Sequence, residues 1–242
     1  SIQNYAKVNQ SYGISTATAT SARIVTNPTS SSNATFNSNS TLTFSEPIAS
    51  GATGNRYAID SYGTVTVAGA TIENTQSAND CGIGTATSAT NPTVTITSGT
   101  VEASKWAVVN NSPTGIINVS GGEITGKSGI YSQNTGTINV TAGTITATGT
   151  DTGDHGIRGY TGTVNISGTL AGTNISGIYR GATVTTGTLT ITGGTIESEG
   201  IGAQVDGGTL TIGTNEATPS VSITEPSITG GTNGVNVISG TF

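Results

Sequence analysis

The segment TDTGDHGIRGY holds the chain's densest set of side chains suited to acid–base chemistry. It contains Asp151, Asp154, His155 and Arg158. Such groups can donate a proton, accept one and stabilise developing charge. Glycan hydrolysis, however, needs two facing carboxylates, whereas both Asp residues fall in one loop, where polar turn residues are ordinary. We therefore predict no catalytic residues and no enzyme, and keep polysaccharide cleavage by a lyase or hydrolase as the alternative.

A second group combines aromatic and basic side chains. Tyr131, Arg158 and Tyr179 each follow a Gly-Ile pair, while Tyr160 and Arg180 lie one or two positions further along. Aligning the Gly-Ile pairs predicts one outward column on consecutive coils. Aromatic rings stack on sugar faces, and Arg donates to hydroxyls or carboxylates. The column is either a shallow glycan-binding strip or a cation–π ladder that only stabilises the fold.

A third group is a regular series of Thr-x-Thr pairs. If the strands that carry them stack, the pairs form a flat grid of about 4.8 Å by about 6.7 Å. Such arrays resemble those of ice-binding proteins, although Thr is also a favourable residue on any exposed strand. Asn118, Asn139 and Asn165 interrupt the series. The pairs considered are Thr64 and Thr66, Thr93 and Thr95, Thr188 and Thr190, and Thr209 and Thr211, with Thr41-x-Thr43 as an earlier member.

The elements that position these groups come from a repeated nine-residue phrase, as in TVTITSGTV or TLTITGGTI. It recurs in steps of 21 to 29 residues, which indicates a stacked repeat architecture. Alternation of apolar and polar residues makes each phrase a strand. The predicted inward pairs are Leu42/Phe44, Val65/Val67, Val94/Ile96, Ile117/Val119, Ile138/Val140, Val164/Ile166, Leu189/Ile191 and Leu210/Ile212.

Each phrase leads through a Gly- or Ala-containing turn to a second strand, and a variable loop then leads to a third. The loops 74–81, 147–155 and 171–176 hold most of the added length. The inward residues predicted for the second strand are Ile72, Val101, Ile124, Ile145, Leu170 and Ile196. Those predicted for the third strand are Ile59, Ile83, Val108, Ile130, Ile157, Ile178 and Ile201.

These patterns predict an all-β protein, a right-handed parallel β-helix with three short strands per coil and roughly eight to nine coils. Residues 1–40 lack the phrase, and we predict a cap or an irregular first coil there. Residues 41–242 form the β-helix. Glycine is frequent because each coil needs sharp corners, some at positive φ.

Composition excludes several functions. Seven Lys and Arg residues and a net charge of -6 argue against nucleic-acid binding, and no apolar run approaches the ~18 residues of a membrane span. Cys81 has no partner for an internal disulfide, and one Cys with one His cannot build a structural zinc site. We predict no cofactor. The absence of Met suggests a processed product or a fragment, and the Thr/Ser-rich, Cys-poor composition predicts a secreted or cell-surface location.

The phrase TLTITGGTI, followed by Gly-Ile and a Gly-rich return, resembles right-handed β-helix surface proteins. These include the passenger domains of autotransporter adhesins and filamentous-haemagglutinin-like exoproteins, and the architecture is similar to the pectate-lyase superfamily. The resemblance covers about residues 41–242. It implies an adhesin, a matrix protein or a polysaccharide-active enzyme.

The last segment, GVNVISGTF, is apolar and uncharged and carries no polar cap after it. Unpaired strand edges of this kind invite further strands. We therefore expect an extracellular structural or adhesive protein that can add subunits head to tail through Val235, Val237 and Phe242. Its expected partners are further copies of itself, or a host or extracellular glycan or protein.

Overall fold

The computed structural model describes residues 2–4, 22–26, 33–37, 41–43, 55–169, 171–213 and 226–242. These residues form an all-β parallel solenoid of about six turns, fewer than the predicted eight to nine. Three short described segments within residues 1–40 already pair with later strands. The boundary placed after residue 40 stays a prediction, because most of that region lies outside the described residues.

The solenoid has two sheets, and every described pairing in them is parallel. Sheet A contains the ten strands β1 (Ile2–Asn4), β2 (Ala22–Thr26), β5 (Arg56–Ser61), β7 (Asp80–Thr85), β9 (Trp106–Asn110), β11 (Ser128–Ser132), β13 (His155–Gly159), β16 (Arg180–Val184), β19 (Ile201–Val205) and β22 (Asn233–Val237). Sheet B contains the twelve strands β3 (Asn33–Asn37), β4 (Thr41–Thr43), β6 (Thr64–Asn74), β8 (Thr93–Ala103), β10 (Ile116–Gly126), β12 (Thr137–Ala147), β14 (Thr163–Ile166), β15 (Thr173–Gly177), β17 (Thr188–Ile191), β18 (Thr195–Ser198), β20 (Thr209–Ile212) and β21 (Ser227–Gly230).

The three strands predicted for each coil are arranged in two ways. In β14/β15, β17/β18 and β20/β21 the first and second strands are separate, whereas in β6, β8, β10 and β12 they run together as one strand of 11 residues. The third strand always belongs to sheet A. Each coil thus contributes to both sheets and encloses the core between them.

Glycine makes the corner between the first and second strands. Gly99 has φ of +94°, and a Cβ built there would lie 2.2 Å from the carbonyl oxygen of Ala70 on the preceding coil. No other residue adopts this conformation so easily, and any other residue would place a Cβ against the backbone of the preceding coil. The prediction of corners at positive φ is therefore confirmed. The same conformation occurs at Gly69, Gly122, Gly143, Gly168, Gly194 and Gly213.

The first strand of each coil fills the core as predicted. From β6 to β20, β-branched and Leu side chains stack in register, coil upon coil, and almost all are completely buried. The prediction fails, however, for the earliest phrase, the one that begins at Thr41, because its strand β4 is a second strand and not a first strand. Leu42 in β4 pairs with Ile72 of the second strand, and the first-strand partner is β3, with Ala34 opposite Val65. Phe44 lies outside the described residues.

The second-strand prediction fails at Leu170, which also lies outside the described residues. Ile175, not Leu170, pairs with Ile145 and Ile196. The extra residues of this coil form a turn at the first corner, where the amides of Gly172 and Thr173 bond to the carbonyl of Thr169. The added length therefore precedes the second strand instead of following it.

The third-strand prediction fails at Ile178 and Ile201. Ile157 pairs with Ala182, which pairs with Ala203, so two alanines hold the predicted positions. The reason is an inward glycine just before each position. A Cβ on Gly181, for example, would lie 2.5 Å from Cγ2 of Ile196 in sheet B. The repeated mark is therefore an inward Gly or, at Ala58 and Ala107, Ala, followed by any small or aliphatic residue. The Gly-Ile pairs at Ile178 and Ile201 are coincidental.

We predict that Ile145→Asp destabilises the protein by more than about 4 kcal/mol, because it buries an unpaired charge in the aliphatic stack. Thr144→Asp is the matched control. Thr144 is exposed on the same strand, so its replacement should change the unfolding free energy by less than about 0.5 kcal/mol. Thermal denaturation of both variants measures the difference. Equal melting temperatures would contradict the inward and outward assignment.

Candidate functional site

The outer face of sheet A gathers aromatic and charged side chains from successive coils. Tyr131 on β11 pairs with Arg158 on β13, as the Gly-Ile alignment predicts. The guanidinium carbon of Arg158 lies 5.5 Å from the ring centre of Tyr131 and 6.0 Å from that of Tyr160. Tyr160 is 44% exposed. Three of the five predicted residues therefore form one cluster, in which a cation is shared by two rings.

Tyr179 does not belong to this column, and its predicted placement is wrong. The neighbour of Arg158 on the following coil is Thr183, because the register follows the inward glycine. Tyr179 lies just before β16, and its ring centre is 4.8 Å from the guanidinium carbon of Arg180. Arg180 also donates from Nη1 to the carbonyl of Thr152, at 3.0 Å. Tyr179 and Arg180 thus form a separate pair beside the loop that precedes β13.

Trp106, the first residue of β9, enlarges the cluster. Its ring meets that of Tyr131 edge to face, with centres 4.9 Å apart and planes at 61°. Lys105 places its Nζ 4.4 Å from the Trp106 ring centre. With Ser128, Gln133 and Gly153, the cluster borders a pocket of about 170 Å³. Half-buried rings beside a guanidinium can stack on a sugar face and donate to its oxygens.

The acid–base residues of the TDTGDHGIRGY segment have separate partners. Asp151 is exposed and lies 3.5 Å from Nζ of Lys127, and Asp154 accepts a hydrogen bond from the Asp151 amide at 3.1 Å. His155 is buried, with Nδ1 2.9 Å from the Thr183 hydroxyl. Burial, followed by the charges of Arg158 and Arg180, lowers the pKa of His155 to about 3. His155 is therefore neutral at physiological pH.

The Thr-x-Thr pairs form the predicted array on the outer face of sheet B. Thr64 pairs with Thr93 and Thr188 pairs with Thr209, and the second threonines pair in the same way. Between them, Asn165 donates to Asn139, which donates to Asn118, each at 2.9 Å. The interruption is thus a hydrogen-bonded amide ladder in the column of the second threonines. Thr41 and Thr43 are not in these columns, because β4 pairs with Thr71–Glu73.

Two of the predicted assembly residues, Val235 and Val237, lie on the last strand of sheet A, whereas Phe242 follows Thr241, which bridges to Thr209 of sheet B. β22 pairs with β19 through Val235 and Val237. Val237 packs partly against the core, Val235 is exposed, and Phe242 is 77% exposed. In the described part of the chain, three of the four exposed large apolar side chains (Val235, Ile238 and Phe242) lie in this terminal segment.

No family model, no curated protein and no solved structure matches this chain. The structure supports the β-helix part of the resemblance, whereas the autotransporter and pectate-lyase affiliations stay proposals. Within the described ranges no helix is long and apolar enough to cross a membrane. The same ranges hold no group of three or more His, Cys, Asp and Glu side chains that could bind a metal ion.

We predict that His155 makes the protein less stable in acid. Its pKa is lower in the folded state than its ordinary value of 6.5, so the unfolded state binds the proton first as the pH falls below 6.5. One such proton costs up to about 1.4 kcal/mol per pH unit, a loss that continues down to the folded-state pKa of about 3. His155→Gln should remove this loss.

The measurement is the unfolding free energy of both proteins between pH 7 and pH 4. Asp60 acts in the opposite direction, because burial raises its pKa to about 6, but it is present in both proteins and cancels in the comparison. Parallel stability curves would show that His155 does not carry the acid sensitivity.

Proposed function

We propose that this protein is an extracellular, non-enzymatic adhesive solenoid that recognises carbohydrate on the outer face of sheet A. The observation that carries the proposal is the cluster of Trp106, Tyr131, Arg158 and Tyr160, which three successive coils bring to one accessible surface. We call these four residues the aromatic–arginine cluster.

The cluster has the chemistry that saccharides require. Aromatic rings offer an apolar face to the C–H side of a sugar, and the polar handles of Tyr and Trp reach its hydroxyl groups. Nε of Arg158 is buried and has no hydrogen-bond partner within the described residues. Buried polar groups are normally paired, so a ligand oxygen at this position would satisfy it. A purely stabilising ladder would leave this donor unused.

Composition supports an extracellular location. Only 8% of the residues are charged, Gly, Thr and Ser are abundant, and Cys81, the single cysteine, is buried. The fold requires neither a disulfide nor a metal, because the aliphatic stack is continuous from coil to coil. A surface scaffold of this kind presents side chains at a fixed spacing along its length.

We also propose that copies of this protein assemble head to tail into a surface structure. Val235, on the last strand of sheet A, and Phe242, which follows the Thr209–Thr241 bridge, expose apolar surface that a further parallel strand from a second copy would cover. Light scattering on the intact chain tests this idea. A strictly monomeric particle at high concentration, unchanged by deletion of residues 235–242, would contradict it.

Ice binding is a second candidate function, favoured by the matched register of the Thr-x-Thr pairs. A flat grid of hydroxyl and methyl groups on a rigid sheet can order water at a fixed spacing. Sheet B provides such a grid, although the Asn ladder divides it into two parts.

We predict that a glycan array gives hits that are lost in Tyr131→Ala, with the fold unchanged by circular dichroism. Tyr179→Ala is the matched control, because Tyr179 also lies against an arginine but outside the cluster. Loss of one stacking ring should weaken binding about tenfold or more, equivalent to about 1.4 kcal/mol. Hits insensitive to Tyr131→Ala would leave the cluster with a structural role only. Release of products from polysaccharides would support the enzyme alternative.

For the second candidate we predict thermal hysteresis that Thr66→Tyr abolishes, because a bulky ring in the grid disrupts its flat surface. Thr144→Tyr, on the second strand and outside the grid, should retain the activity. If ice grows in the presence of the unmodified protein with neither thermal hysteresis nor a change in crystal shape, the ice-binding candidate is eliminated.

A further inference from the structure

A second, more polar groove lies on the same face of sheet A, on coils nearer the N-terminus. It has a volume of about 470 Å³. Tyr57, Asp60, Tyr62, Asn111 and Gln133 are among the side chains that line it. No sequence pattern pointed to this groove, because its residues come from four separate coils and none of them interrupts the repeat.

Tyr57 is held in place by both packing and hydrogen bonds. Its ring lies across Gly84, where a Cβ would come within 2.5 Å of a ring carbon. Its hydroxyl oxygen accepts hydrogen bonds from Nδ2 of Asn55, at 3.3 Å, and from Nδ2 of Asn111, at 3.1 Å. Two amides therefore occupy the lone pairs of the oxygen, and the hydroxyl proton points to an acceptor that a ligand can supply.

Asp60 supplies the complementary acceptor. It is half-buried, and within the described part of the chain no side chain donates a hydrogen bond to its carboxylate. Burial raises the pKa of Asp60 to about 6, as expected for a carboxylate that has lost water without gaining a partner. Carboxylates that are shielded from water are normally paired, so donors from a ligand would stabilise this one.

The polar groove is continuous with the aromatic–arginine cluster. Gln133 lines both pockets, and Lys105 joins them from the side by donating to Oδ1 of Asn55 at 2.8 Å while its Nζ lies over Trp106. Asp60 and Tyr131 lie in one column of the strand register, with two coils between them. At the usual strand spacing they are about 14 Å apart. Such a length suits an oligosaccharide rather than a single sugar.

We propose that the two pockets form one oligosaccharide-binding groove, in which a neutral sugar donates its hydroxyls to Asp60 and an acidic sugar lies at Arg158. This inference rests on the proposed carbohydrate-binding function and specifies its ligand. The ends of the groove have opposite charge, so a uronate carboxylate is attracted at Arg158 and repelled at Asp60. Alternating acidic and neutral sugars therefore fit better than a chain in which every unit is acidic.

Two oligosaccharide series serve as probes in isothermal titration calorimetry: hyaluronan fragments, which alternate glucuronate with a neutral amino sugar, and oligogalacturonates of matched length. We expect hyaluronan hexasaccharide to bind about tenfold more tightly than its disaccharide and than hexagalacturonate. Asp60→Asn should weaken hyaluronan binding and strengthen galacturonate binding, so that the preference between the two hexamers disappears. Glu102→Gln, the same change of charge on the exposed face of sheet B, should alter neither affinity.

The variants separate the two proposals. If either hexamer binds and Tyr131→Ala abolishes that binding, while Asp60→Asn leaves both affinities unchanged, the extended groove is wrong and the carbohydrate site at the cluster stands. If binding is insensitive to Tyr131→Ala, the proposed function is wrong as well. If neither series binds although the glycan array gives hits that depend on Tyr131, the assignment of an alternating acidic ligand is overturned. Circular dichroism of Asp60→Asn confirms that a loss of binding does not reflect unfolding.

Discussion

The structure depends on one constraint: each coil must lie on the previous one in parallel register, with like aliphatic side chains in contact. The first strands satisfy it from β6 to β20, where Val, Ile and Leu stack at zero or almost zero exposure, except that Ile212 is only partly buried. A shift of one residue would exchange every inward side chain with an outward one. Positive-φ glycines occur at the first corner of successive coils, and insertions at this corner and at the others absorb differences in length.

The surface proposed to bind carbohydrate is a consequence of that stacking. Residues that are distant in the sequence, such as Tyr57, Trp106 and Arg158, reach one face because the coils that carry them are neighbours. Beneath them, Asn110 links coils inside the core by accepting from the Thr85 hydroxyl at 2.6 Å and donating to that of Ser132 at 3.1 Å. This buried polar ladder fixes the strands of sheet A relative to each other, so the groove above it is rigid before any ligand arrives.

The sequence was sufficient to predict the fold where a physical rule allows only one arrangement of the side chains. Strict alternation in Val94–Ile96 and Leu189–Ile191 fixes which side chains face inward, and the corner glycines follow from the same phrase. It was insufficient in sheet A, where an inward glycine is followed directly by a second inward residue and alternation is broken. Because of this break, Gly181 and Ala182 face inward where Ile178 was predicted to do so, and Tyr179 lies outside the predicted column. The groove at Asp60 depends on the direction of the Tyr57 ring, which one-dimensional patterns do not contain.

Because the groove is assembled from whole coils, its length can change only in units of one coil. Duplication of a complete repeat between β7 and β11 would shift Asp60 relative to Arg158 by about 4.8 Å per added coil. The core would be preserved, since each coil presents the same aliphatic stack to its neighbours. Related solenoids could thus acquire ligands of different chain length by recombination of repeats alone, with the spacing of the recognition groups set by backbone hydrogen bonding rather than by substitution within the site.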